Sequence, residues 1–551
     1  MKIVTKKYKK DSKRSLCKSK KLKKEMKNRS KPKSKITQKN KSGGGNISSM
    51  ASISTDKFIR DDWNIRNAVN AWCENPKQAE KNYGHISQWD TSLVTDMSEL
   101  FKYKRFNGDI SQWNVSNVTN MERMFEGAFA FNQPIEQWDV GEVTNMQYMF
   151  LGASAFNQPL EQWNVSKVTN MERMFRNAWS FNKPLEQWNV GSVANMKGMF
   201  AVASSFNQPL ANWERENSTV GNVTTMQEMF GGALAFNQPL EQWNVSNVTD
   251  MRWMFKGAVT FNQPLEQWNV SNVTDMRWMF KDAVTFNQDI SNWDVGKVTN
   301  MEGMFRNARA FNQPLEQWNV GNVTNMQGMF QEAFAFIQPL EQWNVGCVTS
   351  MGSMFHYASA FNQPLEQWNV GSVTNMEGMF SHTSAFNKPL EQWNVDNVTN
   401  MKRMFWEAHA FNQNISNWDV SNRPNMDNMF NQGYNDGFKP SVERSRNRHR
   451  QNLDMVVREN QEERDNEIKE TQKEREQIGQ EPLDAVEIEN YLGITPQKKV
   501  FLNQYGPISD IRSFLGGKKG RTTRKKGRKT KSRTKKQSKK RKTKKNKKTK
   551  K

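Results

Sequence analysis

The chain has 551 residues, with 80 lysines and arginines against 56 aspartates and glutamates, and a net charge of +24 at neutral pH. Residues 1–42 carry +17 and residues 518–551 carry +22, so the 475 residues between them have a net charge of −15. This segregation excludes a uniformly basic protein, and three cysteines in so long a chain exclude a disulfide framework.

Residues 1–42 contain no apolar core of the kind that a secretory signal peptide needs, and we expect no Sec-type export. No stretch of about 18 or more apolar residues occurs, so we expect no membrane span. A place in the cytoplasm, the nucleus or a virion is favoured over secretion.

Shifts in composition divide the chain into six segments. They are a disordered basic tail (1–56), a helical N-terminal cap (57–88), a repeat region (89–437), a charged helical or disordered linker (438–480), a short helical segment (481–517) and a disordered Lys/Arg-rich tail (518–551). In the cap, an amphipathic helical pattern is given by Phe58, Ile59, Ile65, Ala68, Val69 and Trp72.

Tryptophan marks an internal repeat in residues 89–437. Fourteen tryptophans recur with gaps of 25 residues, except for one gap of 24 and one of 30. They are Trp89, Trp113, Trp138, Trp163, Trp188, Trp213, Trp243, Trp268, Trp293, Trp318, Trp343, Trp368, Trp393 and Trp418. The long gap contains the insertion ERENSTV after Trp213, which is typical of a surface loop on a stacked repeat.

The start of a unit has the pattern of a strand. Trp138 and Val140 alternate with Gln137 and Asp139, which predicts a half-buried strand with the tryptophan inside.

The middle of a unit has the pattern of a short helix. Met121, Met124, Phe125 and Ala128 follow the i, i+3, i+4, i+7 spacing of a helix stripe. Thr119, with a glutamate three residues later, matches a capping box that would start this helix. The sequence FNQP then returns the chain, because proline cannot continue a helix.

One strand and one short helix cannot bury their own apolar face, so the units must stack on each other. The predicted fold is an α/β solenoid, leucine-rich-repeat-like, of about fourteen 25-residue strand-plus-short-helix coils. At roughly 4.8 Å per coil it would extend on the order of 65 Å and need a cap at each end.

The unit WNVSNVTNMxxMFxxAxxFNQPLEQ resembles the repeats of the BspA-like leucine-rich-repeat surface proteins, and its segment LEQWNV is similar to the L-x-x-L-x-L segment of leucine-rich repeats. The entry segment AVNAWCENPKQAEKNYGHISQWDTSLVTDMSELF is similar to the usual start of such an array. The resemblance covers about Trp63–Phe430 and implies a β/α solenoid with adhesion or protein-binding roles at a cell surface. Arrays with lysine-rich ends also look like proteins encoded by large DNA viruses.

The exposed positions of the predicted strand form a candidate binding surface, which we call the amide face. Many weak identical contacts from this face would suit a repeating ligand, such as a glycan or a filament. A self-satisfying ladder of amides between coils explains the same repetition and is the favoured interpretation, because a surface that recognises one protein epitope would vary. The representative positions are Gln137, Asp139, Gln162, Asn164, Gln267, Asn269, Gln317, Asn319, Gln367 and Asn369.

Catalytic and metal-binding signals are absent from the sequence. No phosphate-binding loop, dinucleotide fingerprint, zinc-protease or nucleophile-elbow motif occurs, so we expect no enzymatic activity and no cofactor. His356, His382 and His409 lie at different positions of their units and predict no metal site. Sequons such as Asn114–Ser116 are interpreted as turn and cap chemistry.

The segments after the repeats carry two further predictions. Residues 438–480 have helix formers but too few apolar positions for a coiled-coil seam, and 481–517 contain enough for one or two short helices that dock on the array or on a partner. The C-terminal tail is predicted to bind nucleic acid or another polyanion by counterion release; nuclear targeting, contact with an anionic membrane, or a role in solubility fits the same pattern. Its principal cations are Lys525, Lys526, Arg528, Lys529, Lys539, Lys540, Arg541 and Lys542.

Together these features predict a non-enzymatic repeat scaffold. Its repetitive face would bind a protein or glycan ligand, and its cationic tails would tether it to polyanions. The alternative is a surface or virion adhesin of BspA type.

Overall fold

The computed structural model describes residues 57–477. The chain divides into two units, Met1–Asp56 and Lys57–Lys551, and every described residue belongs to the second. The predicted basic tails and the segment 481–517 lie outside the described residues.

The regular elements lie at the two ends of the described region. They are strand β1 (Ile59–Asp61), helices α1 (Ile65–Glu74) and α2 (Pro76–Tyr83), strand β2 (Asp90–Leu93) and helix α3 (Val442–Gln477). Strand β1 pairs in parallel with β2, with Ile59 opposite Asp90. Short 3-10 turns occupy Ile86–Gln88, Ala211–Trp213 and Asp436–Phe438.

Helices α1 and α2 form because of their apolar spacing and their ends. Helix α1 buries Ile65, Ala68, Val69 and Trp72, which share one face. Helix α2 begins with proline, which is favoured there because an N–H group in the first turn of a helix would have no partner within the helix. The side chain of Asn75 caps this end by accepting a hydrogen bond from the Gln78 amide. The helix ends at Tyr83 and is followed by Gly84, whose φ of 72° suits glycine.

The repeats themselves contain no α-helix and, after β2, no strand within the described residues, so the predicted strand-plus-helix unit is wrong in its elements. The predicted strand around Trp138 is a turn, because the Trp138 amide donates to the Ile135 carbonyl at 3.2 Å. The expected alternation of burial is present: Trp138 and Val140 are buried while Gln137 and Asp139 are exposed.

The predicted helix is a run of overlapping turns. Met124, Glu126 and Ala128 donate to carbonyls three residues earlier, at 3.0–3.2 Å. Positive φ values at Arg123 (57°) and Gly127 (65°) interrupt the helical conformation. The apolar stripe is still buried, because these turns place methionine and phenylalanine inward as a helix would.

Alternate N–H groups of this run donate to the next unit instead of along their own chain. The amides of Met121, Arg123, Phe125 and Gly127 bond carbonyls 24 residues later, at 2.6–3.0 Å. Parallel bridges join corresponding residues, such as Asn120 with Asn145, and continue unit by unit to Asn425. Each unit is therefore held by its neighbours.

The predicted capping box is also wrong. The Thr119 amide and hydroxyl both donate to the Thr95 carbonyl of the preceding unit, at 2.9 and 3.4 Å. The Glu122 amide is satisfied by Oδ1 of Asn120 at 3.1 Å, so asparagine closes this turn.

The core is continuous along the repeats and consists of stacked columns. Phe125 stacks on Phe150 with ring centroids 5.5 Å apart, and Trp138 on Trp163 at 6.5 Å. The Nε1 of Trp138 donates to the Ile110 carbonyl at 3.2 Å, so the indole polar group is satisfied inside the core. Large aromatic area is thereby buried without leaving an unpaired donor.

Candidate functional site: the turn face

The amide face lies on the surface. All ten of its representative residues are exposed. Its aspartates and asparagines bond within their own unit: Oδ1 of Asn164 accepts from the amide and hydroxyl of Ser166, at 3.2 and 2.7 Å. Gln137 and the other glutamines of the set have no side-chain hydrogen bond within residues 57–477.

Amide ladders between units occur elsewhere, in two motifs whose role sequence reasoning missed. In FNQP, Oδ1 of Asn132 accepts from the Asn157 amide at 2.9 Å and from the Gln158 side chain at 3.0 Å. In NVTN, Nδ2 of Asn117 donates to the Ser92 carbonyl at 2.9 Å. The recurrence of FNQP in seven units and of NVTN in three is the signal that could have identified them.

A second surface varies from unit to unit, and we call it the turn face. It consists of the positions 9, 10, 13, 14 and 16 residues after each tryptophan, with an offset of five in the unit that carries the insertion. In the unit of Trp243 these are Arg252, Trp253, Lys256, Gly257 and Val259. The position ten residues after tryptophan is held in turn by Glu99, Arg123, Tyr148, Arg173, Gly198, Glu228, Trp253, Trp278, Gly303, Gly328, Ser353, Gly378, Arg403 and Asn428, all with positive φ.

Two successive units form an aromatic and cationic centre on the turn face. Trp253 and Trp278 stack with ring centroids 5.4 Å apart and planes 10° apart, and both are partly exposed. Trp278 also lies against Gly303, where a Cβ atom would come 2.2 Å from its Cδ1. The absence of a side chain at Gly303 is what lets the second indole lie flat.

Ion pairs hold the arginines of this centre in place. Arg252 binds Asp250 at 2.5 Å, and Arg277 binds Asp275 at 2.7 Å. The hydrogen bond that each arginine donates to its aspartate raises the pKa of the arginine. The exposed Lys256 side chain has no ion-pair or hydrogen-bond partner in the described part of the chain, so it is available to an anionic group.

A polar network occupies the turn face of the first units. The Tyr103 hydroxyl donates to Glu126 at 2.5 Å, which raises the pKa of the phenol, and Arg123 binds the same carboxylate at 3.1 Å. The Tyr148 hydroxyl donates to Glu172 at 2.9 Å, and Arg123 lies 4.4 Å from the Tyr148 ring centroid. Except for the pair of Arg123 and Glu126, these contacts cross units, so they fix the side chains of this end.

Histidines occupy the turn face of later units. Tyr357 stacks on His382 at 4.1 Å, and His356 lies 5.7 Å from His382. Burial, with a smaller contribution from His382, lowers the pKa of His356 to about 4. His409 pairs with Glu407 at 3.1 Å, away from these rings.

The remaining predictions concern the basic tail, metal binding and membrane spans. The tail cations from Lys525 to Lys542 lie outside the described residues. Within residues 57–477, no group of three or more His, Cys, Asp or Glu side chains is arranged to hold a metal ion. Of the helices in that range, none combines the length and apolar content required to cross a bilayer.

Comparison with known families matches the chain to a family described as Mycoplasma protein of unknown function, DUF285. Its model matches six overlapping stretches: 68–178, 134–222, 157–263, 214–299, 263–351 and 335–441. The chain belongs to this family. None of the curated proteins matches the sequence.

The DUF285 matches cover the whole region of stacked units, including the unit that carries the insertion. Each match spans several consecutive 25-residue units, so the chain is a protein of DUF285 repeats. The family description assigns no activity to these repeats.

Proposed function

We propose that the chain is a non-enzymatic binding scaffold, a leucine-rich-repeat-like solenoid that recognises a protein partner through its turn face. The unit-to-unit hydrogen bonds and the continuous core support the solenoid, because stability then comes from contacts between neighbouring units. Such a body is rigid enough to present side chains from many units on one surface.

The variation of the turn face carries the proposal. Buried columns repeat almost unchanged, whereas residues ten positions after tryptophan change charge, size and aromaticity between neighbouring units. Trp253, Trp278 and the arginines beside them are the side chains most often found at the energetic centres of protein interfaces. Varied side chains on a rigid support suit one particular protein surface.

Ligand selection tests the proposal. Peptides that bind the full chain are selected from a random display library. Their affinities for the natural chain are then compared with their affinities for the variant Trp253→Asn/Trp278→Asn. Asparagine is chosen because it tolerates positive φ. We expect a loss of at least about tenfold, as for an interface centre. The control is Gln242→Ser/Gln267→Ser, which changes two residues of the amide face, each next to the tryptophan that begins the same unit. Loss in the control alone would assign binding to the amide face.

A polyanion tether through the tails is the second part of the proposal. It is supported by the +17 and +22 charges at the two ends and by the −15 of the region between them. Affinity for double-stranded DNA is compared between the full chain and a chain of residues 43–517 at two salt concentrations. We expect binding by the full chain with a steep salt dependence that the shorter chain lacks. Equal affinity and equal salt dependence would reject the tether.

The amide face supports an alternative function, a surface or virion adhesin of the BspA-like type. Its exposed glutamines, which have no intramolecular partner in residues 57–477, could bind a repetitive glycan or filament through many equal contacts. Labelling of intact cells or particles with a membrane-impermeant reagent separates the alternatives. A labelled chain supports the adhesin, and a chain protected from the reagent supports the internal scaffold.

A further inference from the structure

The last repeat unit has an open edge of backbone N–H groups. In the preceding unit, the amides of Met401, Arg403 and Phe405 donate to the carbonyls of Asn425, Asp427 and Met429, at 2.7, 3.0 and 2.9 Å. One unit later, the corresponding donors have no acceptor within residues 57–477. These are the amides of Met426, Asn428, Phe430 and Gln432, which we call the open edge.

Apolar surface accompanies the open edge. Phe430 stacks on Phe405 at 5.8 Å, but Phe430 and Met426 are only partly buried, while Phe405 and Met401 are fully enclosed. A cavity of about 320 Å³ lies beside them and is lined by Phe430, Tyr434 and His409, among other residues. The edge therefore lacks what every earlier unit has, a following segment that supplies carbonyls and an apolar side chain.

Helix α3 does not cover this edge. Its hydrogen bonds and ion pairs with the last unit reach an earlier part of that unit: Ser445 binds Val420 and Trp418, Arg448 binds Ser416 and Trp418, and His449 pairs with Asp419. Arg444 binds the carbonyls of Gly437 and Lys439, which follow the unit. At the other end of the repeats α1 occupies one carbonyl of the equivalent edge, because Arg66 donates to the Ser98 carbonyl. A second copy stacked head to tail would have to displace α1.

We propose that residues 500–515 of this chain, VFLNQYGPISDIRSFL, lie along the open edge and close the array. Their carbonyls would accept the four N–H groups, and an apolar side chain such as Phe501 would cover Phe430. The segment has one aspartate and one arginine and no net charge, unlike the lysine-rich tails, so it can be buried there. The proposal replaces the short helix that the sequence pattern predicts here with an extended segment, because an extended segment that adds to an exposed row of backbone donors is a common mode of recognition.

The chain is long enough for this contact. Helix α3 has 36 residues and begins at the last unit, so its far end lies within about 54 Å of that unit. The 22 residues from 478 to 499 span up to roughly 75 Å. Val500 can therefore reach the edge whatever the direction of α3. The earlier apolar residues, such as Leu483, follow the helix too closely, and they reach the edge only if α3 points towards it.

Hydrogen exchange on the full chain tests this proposal. We expect the amides of residues 426–432 to exchange at least about tenfold more slowly in the natural chain than in Phe501→Asp/Leu502→Asp. The matched control is Val456→Asp, an exposed valine of α3, which should leave the exchange unchanged. Unaltered exchange within residues 300–330 verifies that each variant is folded.

Three results would overturn the proposal. Fast exchange of residues 426–432 in the natural chain would show that the edge is open. Protection that persists in Phe501→Asp/Leu502→Asp would assign the edge to another segment. Protection that disappears on dilution would assign it to a second copy of the chain.

Discussion

Backbone conformation at single positions decides how the turn face is built. Ten residues after the tryptophan, some units have glycine and others a bulky residue, and all have positive φ. This conformation costs an ordinary residue roughly 1–2 kcal/mol, so it persists only because the hydrogen bonds between units impose it. Glycine there removes the strain and leaves room for a neighbouring ring.

Gly303→Ala should destabilise the protein more than Gly328→Ala. Both glycines have similar φ values, 56° and 60°, so both substitutions carry the same conformational cost. At Gly303 the new Cβ would also overlap Trp278, whereas at Gly328 it meets only the flexible end of Gln331 at 3.3 Å. We expect an additional loss of about 1–3 kcal/mol at Gly303, measured by denaturant unfolding.

A double-mutant cycle checks the cause of this difference. In a Trp278→Asn background the ring is gone, so Gly303→Ala and Gly328→Ala should have equal effects on the free energy of unfolding. If the difference persists without the indole, the contact between Trp278 and Gly303 is not its source.

His356 should make stability depend on pH. Its pKa is lowered from 6.5 to about 4 by burial and then by the neighbouring His382; Glu332 opposes this shift and Arg306 adds to it. Between these values the unfolded chain takes up a proton that the folded chain does not, so stability falls as pH decreases from about 6.5 to about 4. The melting temperature of His356→Gln should show a smaller pH dependence in that window. An equal dependence in both chains would contradict the assignment.

At the scale of elements, the caps at both ends reproduce contacts that are found within the array. At the start, the carboxylate of Asp62 accepts hydrogen bonds from the amides of Thr95 and Asp96, at 2.9 and 3.0 Å. It takes the place of the carbonyl of a preceding unit, which would accept from the Thr95 amide. At the end, Oγ of Ser445 accepts from the Val420 amide at 3.1 Å and donates to the Trp418 carbonyl at 3.3 Å. The inserted Ser218 makes the same pair of contacts to Val190 and Trp188.

Ser445→Ala should loosen the start of α3. Ser445 is 1% exposed, so its removal leaves the Val420 amide and the Trp418 carbonyl without this buried partner, at a cost of about 1–3 kcal/mol. Hydrogen exchange of residues 442–450 should accelerate. The control is Ser441→Ala, which should have a smaller effect because Ser441, the residue just before α3, is partly exposed. Equal exchange in both variants would mean that α3 is held by other contacts.

The sequence predicted the buried side chains well but the backbone poorly. Met121, Met124, Phe125 and Ala128 have the spacing of a helix, and the overlapping turns bury the same four residues. The two conformations differ in the positive φ at Arg123 and Gly127. An arginine in the sequence does not indicate positive φ. The amide face was identified from alternation, whereas the turn face required knowing which positions the turns expose.

At the scale of the whole array, each unit contacts mainly its two neighbours. The Phe, Trp and Met columns run through all the units, and the unit with five extra residues keeps the stacking, since Trp213 and Trp243 lie 5.8 Å apart with planes 7° apart. Stability should then be a sum of similar terms from units and interfaces, so the array tolerates a change in the number of units.

Deletion of one complete unit, residues 269–293, should leave a folded protein. The junction joins Trp268 to Asp294, which restores the WDV sequence and keeps every column in register. The denaturant m-value scales with the surface exposed on unfolding, so it should decrease by about one fourteenth if unfolding stays cooperative. Deletion of residues 269–281, about half a unit, places methionine and phenylalanine positions opposite polar ones. That chain should lose protection from hydrogen exchange around the junction; if both deletions behave alike, the 25-residue register is not what holds the units together.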